Sequence, residues 1–508
     1  MDSHDRPKQN HQPSVDGIAN RRKGARRDDF YSLEDLKGIA ARKRREAAVP
    51  TNDMDLTMPE SWLNQYSLSP MFFTTRAWFI FTLALSSIVA WGIACWGYQI
   101  YAGMGVTNLH PPVFWGMYIA TFVFWVGMSH SGTIVSSLLR LTKADWRRPV
   151  LRGAEAMTAF SLMVAGMFPL IHVGRIWRIY YMFPLPNQRQ LWPNMRSPLA
   201  WDMLAISVYL TASMIFLYTG LLPDIALARD ICPKNNWRKG YLTVLALGWR
   251  GTHRQWMVYE KASTLLAVFI LLIAPSVHTI VSWDFAMSIT PGWHTTIFGP
   301  YFVVGAIYSG VAGVITLMIV LRYVFGLEEI IRIMHLYNLA KLELVMALIW
   351  SYFYFIEFIT SWYANNPVEF RIWEYQWERF PHLLIIMLGG TALAIVMLSF
   401  HKVRTSPLLL FIITVIINIG MYIERYLIVV PVLTHRDNAF TWTDYTPSFV
   451  EASVALAAVA YFFLLYAIFS KLLPVVTVAD IREGKIISGD VRIGNRYVRV
   501  HADLEEPL

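Results

Sequence analysis

Four ionisable residues sit near the ends of apolar runs: His172 and Arg175 in "FPLIHVGRIW", Asp202 in "LAWDML" and His278 in "APSVHTIV". Imidazole and carboxylate groups brought to one place accept and release protons. Desolvation and a neighbouring cation act in opposite senses on a buried carboxylate, so a cluster of this kind can exchange protons near neutrality. On a helix, residues 172 and 175 lie within one turn, which projects His172 and Arg175 from neighbouring parts of one face. Further ionisable residues lie in or beside apolar runs: His130 in "WVGMSHSGTIVSS", Glu155, Glu260, Lys341, Glu343, Glu357, Glu424 and Arg425. A charge at mid-bilayer costs roughly 2.5–3.5 kcal/mol on insertion scales, so each needs a partner, a wet cavity or a chemical task.

The elements that must hold these groups are membrane spans. Of 508 residues, 55% are hydrophobic and 16% charged, far more apolar surface than one water-soluble core can hide. Taking roughly 20 apolar residues per crossing of a ~30 Å hydrocarbon layer, ten spans are expected, near 77–101, 113–139, 154–176, 200–222, 258–282, 297–321, 335–361, 382–401, 407–429 and 449–472. The fold class is therefore an all-α integral membrane protein.

Connections after spans two, four, six and eight are rich in Lys and Arg, as in "RLTKADWRRPVLR" and "HKVR", whereas the alternate ones carry Trp, Tyr, Pro and acidic residues. By the positive-inside rule both termini are expected in the cytoplasm. The net charge of +9 thus reads as topology and contact with anionic lipid, not nucleic-acid binding. The two cysteines, Cys95 and Cys232, are far apart, which offers neither a disulfide framework nor a cysteine-ligated cluster, and no CxxCH is present for covalent haem. No cleavable signal is expected in the polar first seventy residues.

Spans two and six share a loose spacing, Gly116, Gly132 and Arg140 against Gly299, Gly313 and Arg322. This suggests two parallel four-helix bundles, spans 2–5 and 6–9, with two flanking helices. The chain divides into a basic tail (1–70) with a short helix expected from Ser32, a first membrane half (71–290), a second half (291–475) and a C-terminal tail (476–508) in which "IISGDVRIGNRYVRV" reads as a hairpin.

With this topology His172, Asp202 and His278 share one membrane level near the outer face, and Arg175 lies a turn beyond His172. His130 is deeper and is read either as a packing histidine or as a proton relay. Glu155 and Glu260 lie near the inner ends of their spans, where they open such a path or are simply solvated. Glu357 is expected to pair with Glu424 and Arg425, and Lys341 with Glu343; proton transfer is the competing role for these groups. No metal site is indicated, although a haem between His172 and His278 is conceivable from residue type alone.

The stretches "FWGMYIATFVFWVGMSHSGTIVSSLLRL", "RGAEAMTAFSLMVAGMFPLIHVGRIW", "NMRSPLAWDMLAIS", "APSVHTIVSWDFAM" and "MYIERYLIVVP" resemble the NrfD-type, or polysulfide reductase membrane subunit, family. They are most similar to the ten-helix quinol-oxidising subunit of bacterial alternative complex III, over approximately residues 70 to 475. The resemblance implies a subunit of a respiratory or photosynthetic oxidoreductase in the bacterial cytoplasmic membrane, with no redox cofactor of its own. Such a subunit oxidises menaquinol or a related quinol in the first bundle, near the periplasmic face, and passes electrons to a docked iron–sulfur subunit. Partners carrying c-type haems and a second homologous membrane subunit are also implied, with proton translocation as a further expectation. Carried onto this chain, the pocket comprises His172, Asp202 and Arg175, and His278 is added from its depth alone. His172 and Asp202 are the expected proton acceptors.

Secondary transport and a passive membrane anchor are the competing functions. Against transport, no span is broken by Gly and Pro at the midplane in both halves, and the charges concentrate at the outer end.

Overall fold

A computed structural model of the chain describes residues 67–183, 197–436, 440, 442–481, 488–493 and 496–501. The expected helix from Ser32 lies outside these residues. Among the described residues, ten helices are long and apolar enough to cross a membrane: α1 (Arg76–Ala102), α2 (Met117–Leu141), α3 (Arg148–His172), α4 (Pro198–Ile231), α5 (His253–Ala286), α6 (Phe298–Val324), α7 (Ile333–Tyr363), α8 (Pro381–Ser399), α9 (Pro407–Thr434) and α10 (Phe449–Leu472). In hydrocarbon every backbone N–H and C=O must be satisfied within the segment, which selects helix for each apolar run.

Local sequence sets the helix starts. Pro198, Pro381 and Pro407 occupy the first turn of their helices, where a missing N–H costs nothing. Thr252 with Gln255, and Ser448 with Glu451, form reciprocal capping boxes at the heads of α5 and α10. Helix α3 is interrupted at Gly166, three residues before Pro169, which cannot donate to the carbonyl of Ala165. It ends at His172, and Gly174 then turns the chain with φ of 73°.

Helices α2, α3, α4 and α5 pack in a closed ring, and α6, α7, α8 and α9 close a second. The rings join where α2 lies against α6 and α9, and α5 against α6. Helix α2 is the central element: 82% of its most apolar window is buried, against 17% for α1, which pairs with α10 at the periphery. Close approach of α2 and α3 depends on Gly132, where an added Cβ would lie 2.1 Å from the Ala154 carbonyl oxygen. The two residue triplets of similar spacing serve different contacts. Arg140 pairs with Glu260 at 3.2 Å, whereas Arg322 donates to the Glu328 and Ile331 carbonyls of the following loop.

After α10 the chain returns to the first bundle. Val475, Val476, Thr477 and Val478 are buried, and the N–H groups of Val478 and Ala479 donate to Asp224, at 3.1 and 3.0 Å. Asp224 also pairs with Arg152 at 2.9 Å. The strands β1 (Ser488–Ile493) and β2 (Arg496–His501) then form an antiparallel hairpin pairing Ser488 with His501 and Ile493 with Arg496.

Candidate functional site

A cavity of about 350 Å³ opens at one end of the first bundle, within the range of small-ligand sites. Its walls are largely apolar: Ile119, Phe122 and Val123 from α2, Pro169 from α3, Leu199 and Ala200 from α4, and Phe285 from α5. Trp115, just before α2, stacks on Trp293 at 5.7 Å and meets Phe285 edge-on at 5.6 Å. Tyr181 and Met182, from the short 3₁₀ stretch after α3, also line it, as do Val173 and Ser197.

One imidazole and two carboxyl groups line this space: His172, Asp202 and Asp284. His172 Nδ1, Asp202 Oδ1 and Asp284 Oδ1 are each buried and have no hydrogen-bond partner among the described residues. Such orphaned atoms are rare because an unmade buried hydrogen bond costs about 1–3 kcal/mol, and a ligand carrying hydroxyl or carbonyl groups would satisfy them.

The His172 turn is held from behind. Gln99, fully buried although it lies on the lipid-exposed α1, donates from Nε2 to the Ile171 carbonyl at 2.9 Å. The Tyr118 hydroxyl in turn donates to Gln99 Oε1 at 2.7 Å. The start of α2 is positioned by Tyr445, whose hydroxyl accepts from the Met117 N–H at 3.0 Å and donates to Glu451 Oε1 at 2.6 Å. Burial and the Glu451 carboxylate both push the Tyr445 phenol pKa up, so this strut remains protonated.

The structure thus brings His172 and Asp202 to one cavity but not the other two residues expected with them. Arg175 is exposed and does not line the cavity, because α3 ends at His172 and the left-handed Gly174 cancels the helical spacing on which its placement relied. His278 is fully buried elsewhere. Helix α5 continues to Ala286, beyond the expected end at 282, so Asp284 occupies the rim and His278 lies six residues, roughly 9 Å, deeper. The His278 ring faces His130 at 4.5 Å and Phe302 at 5.9 Å, so it does not oppose His172 across the cavity as an axial haem pair requires. His130 joins α2 to α5, its Nε2 lying 2.7 Å from the Ala274 carbonyl and its Nδ1 2.6 Å from that of Val126.

Toward the opposite end of this bundle, Glu155 is buried beside the Arg152–Asp224 pair, and Glu260 meets Arg140 at a half-exposed rim. In the second bundle Glu424 pairs with Arg425 at 3.2 Å and accepts hydrogen bonds from Trp350 Nε1, at 3.1 Å, and from the Tyr301 hydroxyl. Glu357 does not join that pair; it accepts from Thr295 Oγ1 at 3.1 Å, and a cavity of only about 50 Å³ lies between it and Glu424. The expected Lys341–Glu343 pair is not formed either. Two residues apart on one helix they point to different faces, leaving Lys341 exposed over the Tyr337 ring and Glu343 fully buried with neither carboxylate oxygen hydrogen-bonded.

Residues 105–435, which hold both bundles and exclude α1 and α10, match the family model described as "Polysulphide reductase, NrfD". The chain belongs to the NrfD family. Among curated proteins, this NrfD-family chain is 27% identical over 236 residues to a Halobacterium salinarum protein named as a dimethyl sulfoxide reductase membrane subunit. That match covers 46% of this chain and 49% of the relative, so the chain spans about half the length of the curated protein it matches.

The site residue that sequence reasoning misses is Asp284. It stands in the stretch "APSVHTIVSWDFAM", but a span ending at 282 leaves it outside the membrane and lifts His278 to the outer level instead. The aromatic pair Trp283 and Phe285 around it marks an interfacial helix end and is the signal that locates it.

Proposed function

We propose that this chain is the quinol-oxidising membrane subunit of an oxidoreductase complex, and that the cavity between α2, α3, α4 and α5 is its quinol site. The supporting observation is the meeting of three orphaned polar atoms, on His172, Asp202 and Asp284, with a largely apolar and aromatic wall. A quinol has matching chemistry: a flat ring and isoprenoid tail for the apolar surface, and two hydroxyls to pair with imidazole and carboxylate.

Oxidation of the quinol to quinone releases two electrons and two protons. His172 and the two carboxyl groups are the acceptors available for the protons, each by general-base transfer from a ring hydroxyl. The electrons pass to an acceptor in a partner, proposed to be an iron–sulfur subunit docked at this end of the membrane. Membership of a family named for polysulphide reductase, and likeness to a dimethyl sulfoxide reductase membrane subunit, agree with a role in feeding quinol electrons to partner subunits.

The finer assignment is menaquinol as substrate, within an assembly of the alternative complex III type with c-type haem subunits and a second homologous membrane subunit. The basic connections then face the cytoplasm with both termini, and the cavity opens toward the periplasm of the bacterial inner membrane. His130, Glu155 and Glu260 in the first bundle, and Glu357, Glu424 and Arg425 in the second, are proposed to participate in proton movement.

The test is steady-state quinol oxidation by the purified complex bearing His172→Ala or Asp202→Asn, with assembly verified by the presence of every partner polypeptide. Turnover should fall by roughly 10²–10⁴-fold, the usual contribution of a general base. An assembled variant with full turnover removes the assignment.

A further inference from the structure

At the membrane end that carries the basic connections, three basic side chains converge on one aromatic ring. Lys341 Nζ lies 4.3 Å from the Tyr337 ring centroid, Arg404 Cζ 5.2 Å from it, and the His401 ring 5.3 Å away. Lys402 is exposed on the same four-residue helix as His401 and Arg404. Among the described residues none of these four groups forms an ion pair with a carboxylate. Arg404 Nε is moreover buried without a hydrogen-bond partner. Tyr337 belongs to α7, and the basic groups flank it from α7 and from the α8–α9 connection, so the cluster sits over the seam between α7 and α8.

The surface leading away from this cluster is apolar. On α7 the positions 337, 341, 345, 348 and 352 share one face, and Val345, Leu348 and Tyr352 on it are exposed. The corresponding stripe on α8 is Val396, Leu393 and Ile386, continued by Phe400 just past its end, again exposed. From Lys341 to Tyr352 is 11 residues, or about 16 Å of helix, which matches one leaflet of a ~30 Å hydrocarbon layer.

We propose that this seam is a binding site for an anionic phospholipid, its phosphate held by Lys341, His401, Lys402 and Arg404 and its acyl chains laid along the exposed stripes of α7 and α8. A phosphate supplies the negative charge and acceptor oxygens that the cluster lacks, and cationic pockets between membrane helices suit such headgroups. The leaflet-length apolar stripes favour a lipid over a free anion.

The experiment measures lipid retained by the purified full chain after exchange from detergent micelles doped with phosphatidylglycerol or phosphatidylcholine. Phosphatidylglycerol should remain bound and phosphatidylcholine should not. The triple substitution Lys341→Gln, Lys402→Gln, Arg404→Gln should reduce retention at least about tenfold. A control triple at another exposed basic stretch, Lys234→Gln, Arg250→Gln, Arg254→Gln, should retain lipid as the wild type does. Should the first triple fail to fold, Lys402→Glu alone, at an exposed position, should still weaken retention by roughly fivefold. Equal loss in both triples, equal retention of phosphatidylcholine, or displacement of the lipid by millimolar inorganic phosphate would each overturn the proposal. So would unchanged retention in both the first triple and Lys402→Glu.

Discussion

The two bundles have the same ring of four helices and opposite interiors. In the first, buried polar atoms of His172, Asp202 and Asp284 face a largely apolar cavity of about 350 Å³ without partners among the described residues. In the second, Glu424 is paired with Arg425 and bonded to Trp350 and Tyr301, and the cavity beside it is about 50 Å³. Large rings fill the remainder: Trp350 stacks on Tyr354 at 5.4 Å and on Tyr301 at 6.4 Å, and the Arg425 guanidinium lies 4.8 Å from the Phe302 ring. Architecture alone does not make a ligand site. Side-chain volume decides which of the two bundles keeps room for a ring; the second fills that space with aromatic rings around its Glu424–Arg425 pair, although Glu343 there stays buried without a hydrogen bond among the described residues.

The sharpest break of this contrast is catalytic. Asp284→Asn, at the residue that sequence spacing overlooks, should lower quinol turnover of the assembled complex at least about 100-fold, whereas Glu357→Gln in the second bundle should leave the KM for quinol unchanged. If the two substitutions act alike on KM and kcat, the bundles are not functionally distinct.

Stability should show the reverse asymmetry. Glu424→Gln leaves Arg425 buried without its countercharge, and both partners are 2% exposed, so a loss of about 3–5 kcal/mol is expected. A thermal unfolding or detergent-resistance assay that registers less than about 1 kcal/mol would show that the pair is not what satisfies the second bundle. Because Asp202 Oδ1 has no hydrogen-bond partner among the described residues, Asp202→Asn should leave the same assay nearly unchanged.

Filling the cavity gives a third measure. Ala200→Phe places a ring where the headgroup is proposed to lie and should raise the KM for quinol roughly tenfold or more while the fold persists, since it grows into empty space. The smallest effect is expected at the half-exposed rim pair: Glu260→Gln should change stability by less than about 1 kcal/mol. A larger change would mean that the Arg140–Glu260 contact seals the bundle.

Much of the fold is legible in the chain because hydropathy acts on whole segments. Each expected span corresponds to a helix, and the departures are at ends: α4 runs nine residues past 222, and α3 starts six residues before 154 and stops at His172 instead of 176. Those ends depend on single residues, such as Gly174, and on neighbours that bury polar turns, such as the C-terminal segment covering Asp224. The site is legible in part. His172 and Asp202 are recognisable as polar residues at span ends, but a misplaced end hides Asp284 and raises His278 to the wrong level.

What the sequence determined by itself is therefore the number of spans, the apolar character of each and the basic end of the molecule, because lipid leaves the backbone no alternative to helix and because Lys and Arg cluster in the connections. Only the tertiary structure decided which polar groups meet. A shift of one residue at a helix end turns a side chain by about 100°, and whether that direction finds a cavity, as for Asp284, or a neighbouring imidazole, as for His278, depends on the helices packed alongside.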